Sequence, residues 1–281
     1  RRDFTINAMS CDSTGAVHDY FGGQQDLAEG TVRFVGDATL RIQEDALRIL
    51  RFFRFWGRYG QGRADAQAMQ AITAQAALLN GLSVERVWSE LKRILAGPKA
   101  QDVVYLMQQA GILPVLLPEG ANVPLFARLM AFNPPADALL RLAALVPNKS
   151  ADMARRLKFS RAEAARLKAM QAEPVPLPKM SDAQLRHLLA DTPPDILAAR
   201  SWLYQARYSD VLGEELRQRL AQLEIPVFPI AGRDLLEAGC QPGPHVGQVL
   251  KDVRNWWQQG GCSADKQACL AYALELVKAL P

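Results

Sequence analysis

From Asp37 to the C-terminus, apolar residues recur at three- and four-residue intervals, while the alternating pattern of a half-buried strand nearly vanishes. A chain patterned this way can bury its core only between helices, so the expected fold is mainly α. Strand signals are confined to residues 1–36. There the segments 4–10, 17–20 and 31–35 read as short strands, separated by the turn Asp12-Ser13-Thr14-Gly15, the break Phe21-Gly22-Gly23 and a short helical piece at 24–27. This is the edge of an α/β unit. Asp12, Asp19 and Asp26 fit turns and helix starts.

Helices are predicted at 44–57, 64–78, 84–95, 99–110, 124–131, 136–145, 151–157, 162–172, 182–190, 194–206, 210–223, 232–238, 245–258 and 264–279. Their stops have chemical reasons: Gly81 ahead of Ser83 as an N-cap, Gly97-Pro98, Gly111 and Pro134-Pro135. The proline-dense run Glu173-Pro174-Val175-Pro176-Leu177-Pro178 predicts an extended linker between an inner helical region and a distal tail. In that tail the stripes Val246, Val249, Leu250, Val253, Trp257 and Leu270, Ala273, Leu274, Val277 predict helix packing rather than base stacking.

With 281 residues, 49% of them hydrophobic, and a mean hydropathy of −0.08, the chain can bury a substantial core. No apolar run approaches the roughly 18 residues that would cross a bilayer, and the N-terminus has no signal-peptide pattern, so no membrane partner and a cytoplasmic location are expected. Cys11, Cys240, Cys262 and Cys269 form no CxxC pair, and with only His18, His187 and His245 beside them they predict free thiols rather than zinc ligands. The formal charge of +4 permits a polyanionic partner without requiring one.

The placement of charge is more informative. On a helix over 44–57, Arg48, Arg51, Arg54 and Arg58 fall within an arc of roughly 120°, with Ile49, Leu50, Phe52, Phe53 and Trp56 opposite. Asp45 and Arg48, at i and i+3, suit an intrahelical salt bridge. They also suit base recognition. Cytosine and adenine each place an amino donor beside a ring-nitrogen acceptor, whereas uracil and guanine place a carbonyl acceptor beside an N–H donor. A carboxylate that only accepts, next to a guanidinium that only donates, matches the first pair and opposes the second. Each mispaired, desolvated group would cost about 1–3 kcal/mol.

The opening Arg1-Arg2-Asp3-Phe4-Thr5-Ile6-Asn7-Ala8 resembles the RRDFTxNA motif of class II tRNA nucleotidyltransferases and their poly(A) polymerase relatives. It is followed in order by Asp12 to Leu27, by Arg33-Phe34-Val35-Gly36-Asp37-Ala38 and by Glu44-Asp45-x-x-Arg48, each resembling a family motif. The segments 48–58 and 242–250 resemble the CCA-adding branch of α-proteobacterial and mitochondrial type. The resemblance implies CCA addition to the 3′ acceptor end of tRNA from CTP and ATP, with release of pyrophosphate.

By the same resemblance, Arg2, Asp3, Asp45, Arg48 and Arg51 are expected to contact the nucleotide, with Asp45 and Arg48 pairing with the base and Arg2 and Asp3 near ribose and phosphate. Phosphate contacts to RNA are expected from Arg54, Arg58, Lys92 and Arg93, and a bracing role in the neck from Glu85 and Arg86. The family's Mg2+ ligands and phosphate-binding turn precede the RRDFT motif, so a chain opening in mid-motif is expected to be a fragment, inactive alone, without catalytic or metal-binding residues of its own. The expected division is the C-terminal remnant of a nucleotidyltransferase α/β head (1–38), followed by an all-helical neck (39–97), body (98–173) and tail (174–281). A bacterial poly(A) polymerase and a non-catalytic tRNA-binding or processing factor are the alternatives. Oligomeric state is not legible in the sequence.

Overall fold

Alternation of arginines with large apolar residues makes α3 (Leu47–Tyr59) the axis of the N-terminal part of the protein. Ile49, Leu50, Phe52 and Phe53 are fully buried on its apolar side, and burying each such side chain contributes about 1.5–3 kcal/mol. The computed structural model describes residues 2–147 and 150–278. Arg1 of the opening motif and Ala279, the expected end of the last helix, lie outside the described residues.

The segment ahead of α3 is fastened to it by aromatic packing. Phe4 lies 5.0 Å from Phe34 and 6.2 Å from Phe52 between ring centroids, and Phe34 stacks on Phe52. Backbone bonds from Thr5 N–H to Arg33 O and from Val35 N–H to Asp3 O bring the two segments side by side. The strand expected over 4–10 is instead a bridge residue, Phe4, followed by the 3-10 turn Thr5–Asn7. Asn7 turns the chain by accepting from the Phe4 N–H through its side chain. The strand expected over 31–35 is likewise reduced to the Phe4↔Phe34 bridge. A two-residue hairpin, β1 (Ser10–Cys11) against β2 (Val17–His18), and α1 (Gly23–Glu29) complete this edge. The three turn aspartates act as local acceptors or buried anchors. Asp12 accepts from Thr14 and Ala16, Asp19 from Phe21, Gly23 and Gln24, and buried Asp26 from Thr5 and Arg33.

The helix expected over 44–57 is α3, starting only at Leu47, and an unexpected helix, α2 (Ala38–Glu44), precedes it, the two broken at Asp45. Asp45 has extended dihedrals (φ −156°, ψ 102°), and its carboxylate accepts from Leu47 N–H at 3.1 Å, a local alternative that pulls the backbone out of the helix. Downstream, α4 (Ala66–Ala74) gives way to a 3-10 turn, Ala76–Gly81, where one helix was expected. α5 (Val84–Leu95) and α6 (Ala100–Gln109) pack against α3. Ser83 is the N-cap of α5 but makes no side-chain capping bond. α7 (Ile112–Leu116) was not expected, because five residues including Pro114 are too short to show a period. α8 (Val123–Ala131), α9 (Ala138–Leu145), α10 (Ser150–Arg156) and α11 (Arg161–Met170) follow.

The chain divides into two compact units, Arg1–Gln171 and Ala172–Pro281. The second contains α12 (Asp182–Leu189), α13 (Pro194–Tyr208), α14 (Gly213–Gln222), α15 (Gly232–Glu237), α16 (His245–Gln259) and α17 (Lys266–Lys278). The stripe on α16 is core: Val249, Val253 and Trp257 are buried with Leu235, Cys269 and Ala273, and Trp256 stacks on Tyr272. No helix among the described residues is long and apolar enough to cross a membrane.

Candidate nucleotide-template site

The break between α2 and α3 creates the site. Because Asp45 leaves the helix, its carboxylate points away from the i+3 geometry that would have tied it to Arg48. Its second oxygen accepts instead from Arg86 Nη2 on α5, at 2.8 Å. The intrahelical salt bridge expected from spacing is therefore absent, and Asp45 is oriented by one backbone amide and one guanidinium from another helix. Each carboxylate oxygen still has lone-pair capacity. Neighbouring Glu85 pairs with Lys158 at 2.8 Å, so the first turn of α5 is anchored on two sides.

Arg48 is held by three acceptors. Its Nε donates to Asp3 at 3.0 Å, and its Nη1 donates to Arg41 O and to Glu44, each at 2.6 Å. Nη2 has no protein partner among the described residues, so its two N–H groups can meet a ligand. Burial alone would lower the Arg48 pKa, but the bonds to Glu44 and Asp3 outweigh it and raise the guanidinium above its usual range. The bond to Arg48 in turn lowers the Glu44 carboxyl. The arginine is charged at any physiological pH.

Asp3 is buried (8% exposed) and lies between Arg48 and Arg51. Arg51 Nε and Asp3 Oδ2 are in ion-pair contact, yet neither atom has a partner with hydrogen-bond angles. Arg2 is exposed, and its carbonyl accepts from Arg41. Of the expected nucleotide contacts, Asp3, Arg48 and Arg51 are thus brought together, and Asp45 stands at the head of the same helix.

The expected RNA contacts separate into two kinds. Arg54 donates to buried Glu90 at 2.6 Å and half-exposed Lys92 to Glu163 at 2.9 Å, so both are already paired with a carboxylate. Arg58 and Arg93 are exposed, and Arg93 makes only a 3.5 Å contact to Glu90. Four of these partners are not singled out by the sequence pattern: Glu44, Arg41, Arg86 as the Asp45 anchor, and Glu90. The i,i+4 spacing of Glu44 and Arg48 was a usable signal for the first. Among the described residues no group of three His, Cys, Asp or Glu side chains is placed to hold a metal ion. With the Asp3 carboxylate held between two arginines, these residues do not fit a magnesium site, and no chemical step is assigned to one here.

Sequence profiles of two families match: the poly(A) polymerase head domain over residues 1–33, and the probable RNA- and SrmB-binding site of polymerase A over residues 64–123. A mitochondrial CCA tRNA nucleotidyltransferase 1 of Mus musculus is 34% identical over 97% of this chain and 65% of its own length. The chain thus spans just under two thirds of that relative. A CCA-adding enzyme of Geobacillus kaustophilus is 30% identical over 98% of this chain and 71% of its own length. Among solved structures, the Bacillus stearothermophilus CCA-adding enzyme in complex with CTP superposes with a TM-score of 0.72 at 26% identity, covering 99% of this chain and 73% of that one. A Thermotoga maritima CCA-adding enzyme shares the fold, with a TM-score of 0.60 at 21% identity over 98% of this chain and 72% of that one.

The mainly helical fold and these relationships place the chain in the class of proteins that carry the poly(A) polymerase head domain. Within that class, the chain belongs to the class II CCA-adding tRNA nucleotidyltransferase family.

Proposed function

We propose that the enzyme carrying this chain adds CCA to the 3′ end of tRNA, taking CTP and ATP as substrates and releasing pyrophosphate, and that these residues select the base. The observation that carries the proposal is the pairing, at one helix start, of an oriented carboxylate that keeps spare lone pairs with a guanidinium that keeps one open nitrogen. Asp45 is oriented by Leu47 N–H and Arg86, and Arg48 is held by Asp3, Glu44 and Arg41 O so that Nη2 is left open. A carboxylate accepting the amino group of cytosine or adenine, with guanidinium N–H groups donating to the ring acceptor, selects those two bases and leaves uracil or guanine with unpaired groups.

Asp3 acts as the hub that fixes Arg48 and Arg51, and Arg51 and Arg2 are assigned to the sugar-phosphate part of the nucleotide. The names of the mitochondrial and bacterial relatives, and the CTP bound to the Bacillus stearothermophilus enzyme, support this reading over a poly(A) polymerase or a non-catalytic tRNA factor. Residues 1–38 are assigned to the end of the head, 39–97 to the neck, 98–173 to the body and 174–281 to the tail, with tRNA bound across the helical regions. The divalent ion of nucleotidyl transfer is assigned no ligand among the described residues. A cytoplasmic location is the sequence-based assignment, and the mitochondrial names of close relatives mark the organelle as the competing one.

The test is base choice in the active enzyme. Asp45→Ala and Arg48→Ala should each lose discrimination of CTP and ATP against UTP and GTP far more than affinity for tRNA. Normal incorporation of C and A with continued exclusion of U in both variants would refute the assignment.

A further inference from the structure

The α5 helix starts without a side-chain cap at Ser83, and its buried face begins only at Val87. The turn that carries Glu85 and Arg86 therefore lies exposed ahead of the packed part of the helix. A helix end of this kind, with orphan N–H groups and no buried side chain, frays unless something outside the helix holds it. Because Arg86 orients Asp45, the position of that turn bears on the base-selecting pair. Its outside support comes from farther along the chain, at the corner Lys158-Phe159 between α10 and α11.

Two contacts reach α5 from this corner. Phe159 stacks on Trp88, with ring centroids 4.1 Å apart and planes inclined by 21°, and Lys158 Nζ donates to Glu85 Oε1 at 2.8 Å. Glu85 and Trp88 lie on either side of Arg86 in the chain. The corner is itself fixed at both ends. Lys158 N–H bonds to Arg155 O and Phe159 N–H to Ala154 O, the paired bonds that close a helix on a left-handed residue. On the other side, Ser160 and Glu163 form the capping box that starts α11. Glu163 also accepts from Trp88 Nε1 at 3.2 Å and Lys92 Nζ at 2.9 Å, which ties the same corner to α5 one turn farther on. The left-handed residue is Lys158, at φ 51°. Glycine adopts that conformation without steric cost and lysine does not. A lysine there, with its ammonium on Glu85, marks a side chain with a task beyond ending α10.

We infer that Lys158 and Phe159 are positioning residues for base selection: they clamp the first turn of α5 and so set where Arg86 holds the Asp45 carboxylate. The inference rests on the base-selecting role proposed above for Asp45 and Arg48, and adds control of that pair by a corner bonded to neither of them among the described residues. The route is short. Lys158 grips Glu85, Phe159 grips Trp88, and Arg86, between these two, donates to Asp45 at 2.8 Å. Hydrogen bonds weaken steeply as they depart from linearity, so a small drift of the turn degrades base choice before it disturbs the fold.

The experiment measures kcat/KM for CTP and for UTP on tRNA lacking its terminal CCA, together with Tm, in the active enzyme. Residues of one contact network couple measurably, so the CTP-to-UTP ratio should fall at least about threefold in Lys158→Gly and in Phe159→Ala. Lys158→Gly relieves the left-handed backbone, so its Tm should hold or rise while the ratio falls, a separation that a purely structural corner would not give. Phe159→Tyr, which keeps the ring, should keep the ratio. Phe126→Ala, which removes a fully buried ring of α8, should lower Tm at least as much as Phe159→Ala and leave the ratio alone. In an Arg86→Ala background neither corner substitution should lower the ratio further. A wild-type ratio in both corner variants, with discrimination lost in Asp45→Ala, would overturn the corner alone, as would an equal loss in Phe126→Ala or full additivity with Arg86→Ala. Wild-type base choice in both Asp45→Ala and Arg48→Ala would overturn the base-selecting reading together with the corner.

Discussion

Arg86→Ala separates orientation of the template from stability of the fold. Arg86 and Asp45 are partly exposed, at 49% and 33% of their side chains, so their ion pair contributes about 0–1 kcal/mol to folding. For a unit of this size that corresponds to a fall in Tm of at most roughly 2–4 °C. The effect on base choice should be larger. Without Arg86, Asp45 retains only the 3.1 Å bond from Leu47 N–H, and its carboxylate can turn away from the position proposed to reject uracil. Losing one mispairing penalty of about 1–3 kcal/mol lowers discrimination about 5- to 150-fold. The assay is single-nucleotide incorporation of CTP and UTP onto tRNA lacking its terminal CCA. The ratio of kcat/KM for the two should fall at least about fivefold in Arg86→Ala, with tRNA affinity unchanged and partial recovery in Arg86→Lys. A ratio within about twofold of wild type would refute the anchoring argument, and a collapse of Tm would recast Arg86 as a residue of the fold.

Other consequences concern stability. Arg54→Ala leaves Glu90 buried with only the long Arg93 contact, so chemical denaturation should show a loss of about 3–5 kcal/mol, whereas the double change Arg54→Met, Glu90→Leu should be milder. Gly57→Ala should destabilise by about 1–3 kcal/mol through its contact with Val103, despite the better helix propensity of alanine, and Val103→Ala should restore part of that in a double-mutant cycle. Burial pushes the Glu163 carboxyl up, but Lys92, the Ser160 amide and hydroxyl and the Trp88 indole together hold it at about 2. A depressed carboxylate gives stability that is present above its unfolded pKa and lost as pH falls through the folded one. The first unit should therefore lose stability between about pH 4.5 and pH 2, and Glu163→Gln should flatten that limb of the curve.

Much of the architecture was legible because it is local. Helical period marked α3, α5 and α16, and the buried side of α3 is the one its spacing predicted. The motif residues Asp3, Asp45 and Arg48 were singled out, but their partners were not. Asp3 and Arg48 are 45 residues apart, Asp45 and Arg86 are 41 apart, and Arg54 and Glu90 are 36 apart. Periodicity reports only which side chains share one helix face. Which two faces meet depends on how helices cross, and that is fixed by packing.

The sequence by itself determined that this chain is helical after its first segment, that one helix carries arginines opposite a continuous apolar side, and that a carboxylate and a guanidinium with C- and A-matching chemistry lie close together. Tertiary structure decided which of those charges remain available. The same row of arginines is divided by its surroundings: Arg48 and Arg51 are gathered on Asp3, Arg54 is paired with Glu90, and Arg58 is left exposed. The reason is that a charge withdrawn from water must find its counter-charge at short range. Only the packing of α5 and the N-terminal segment against α3 puts those counter-charges in place.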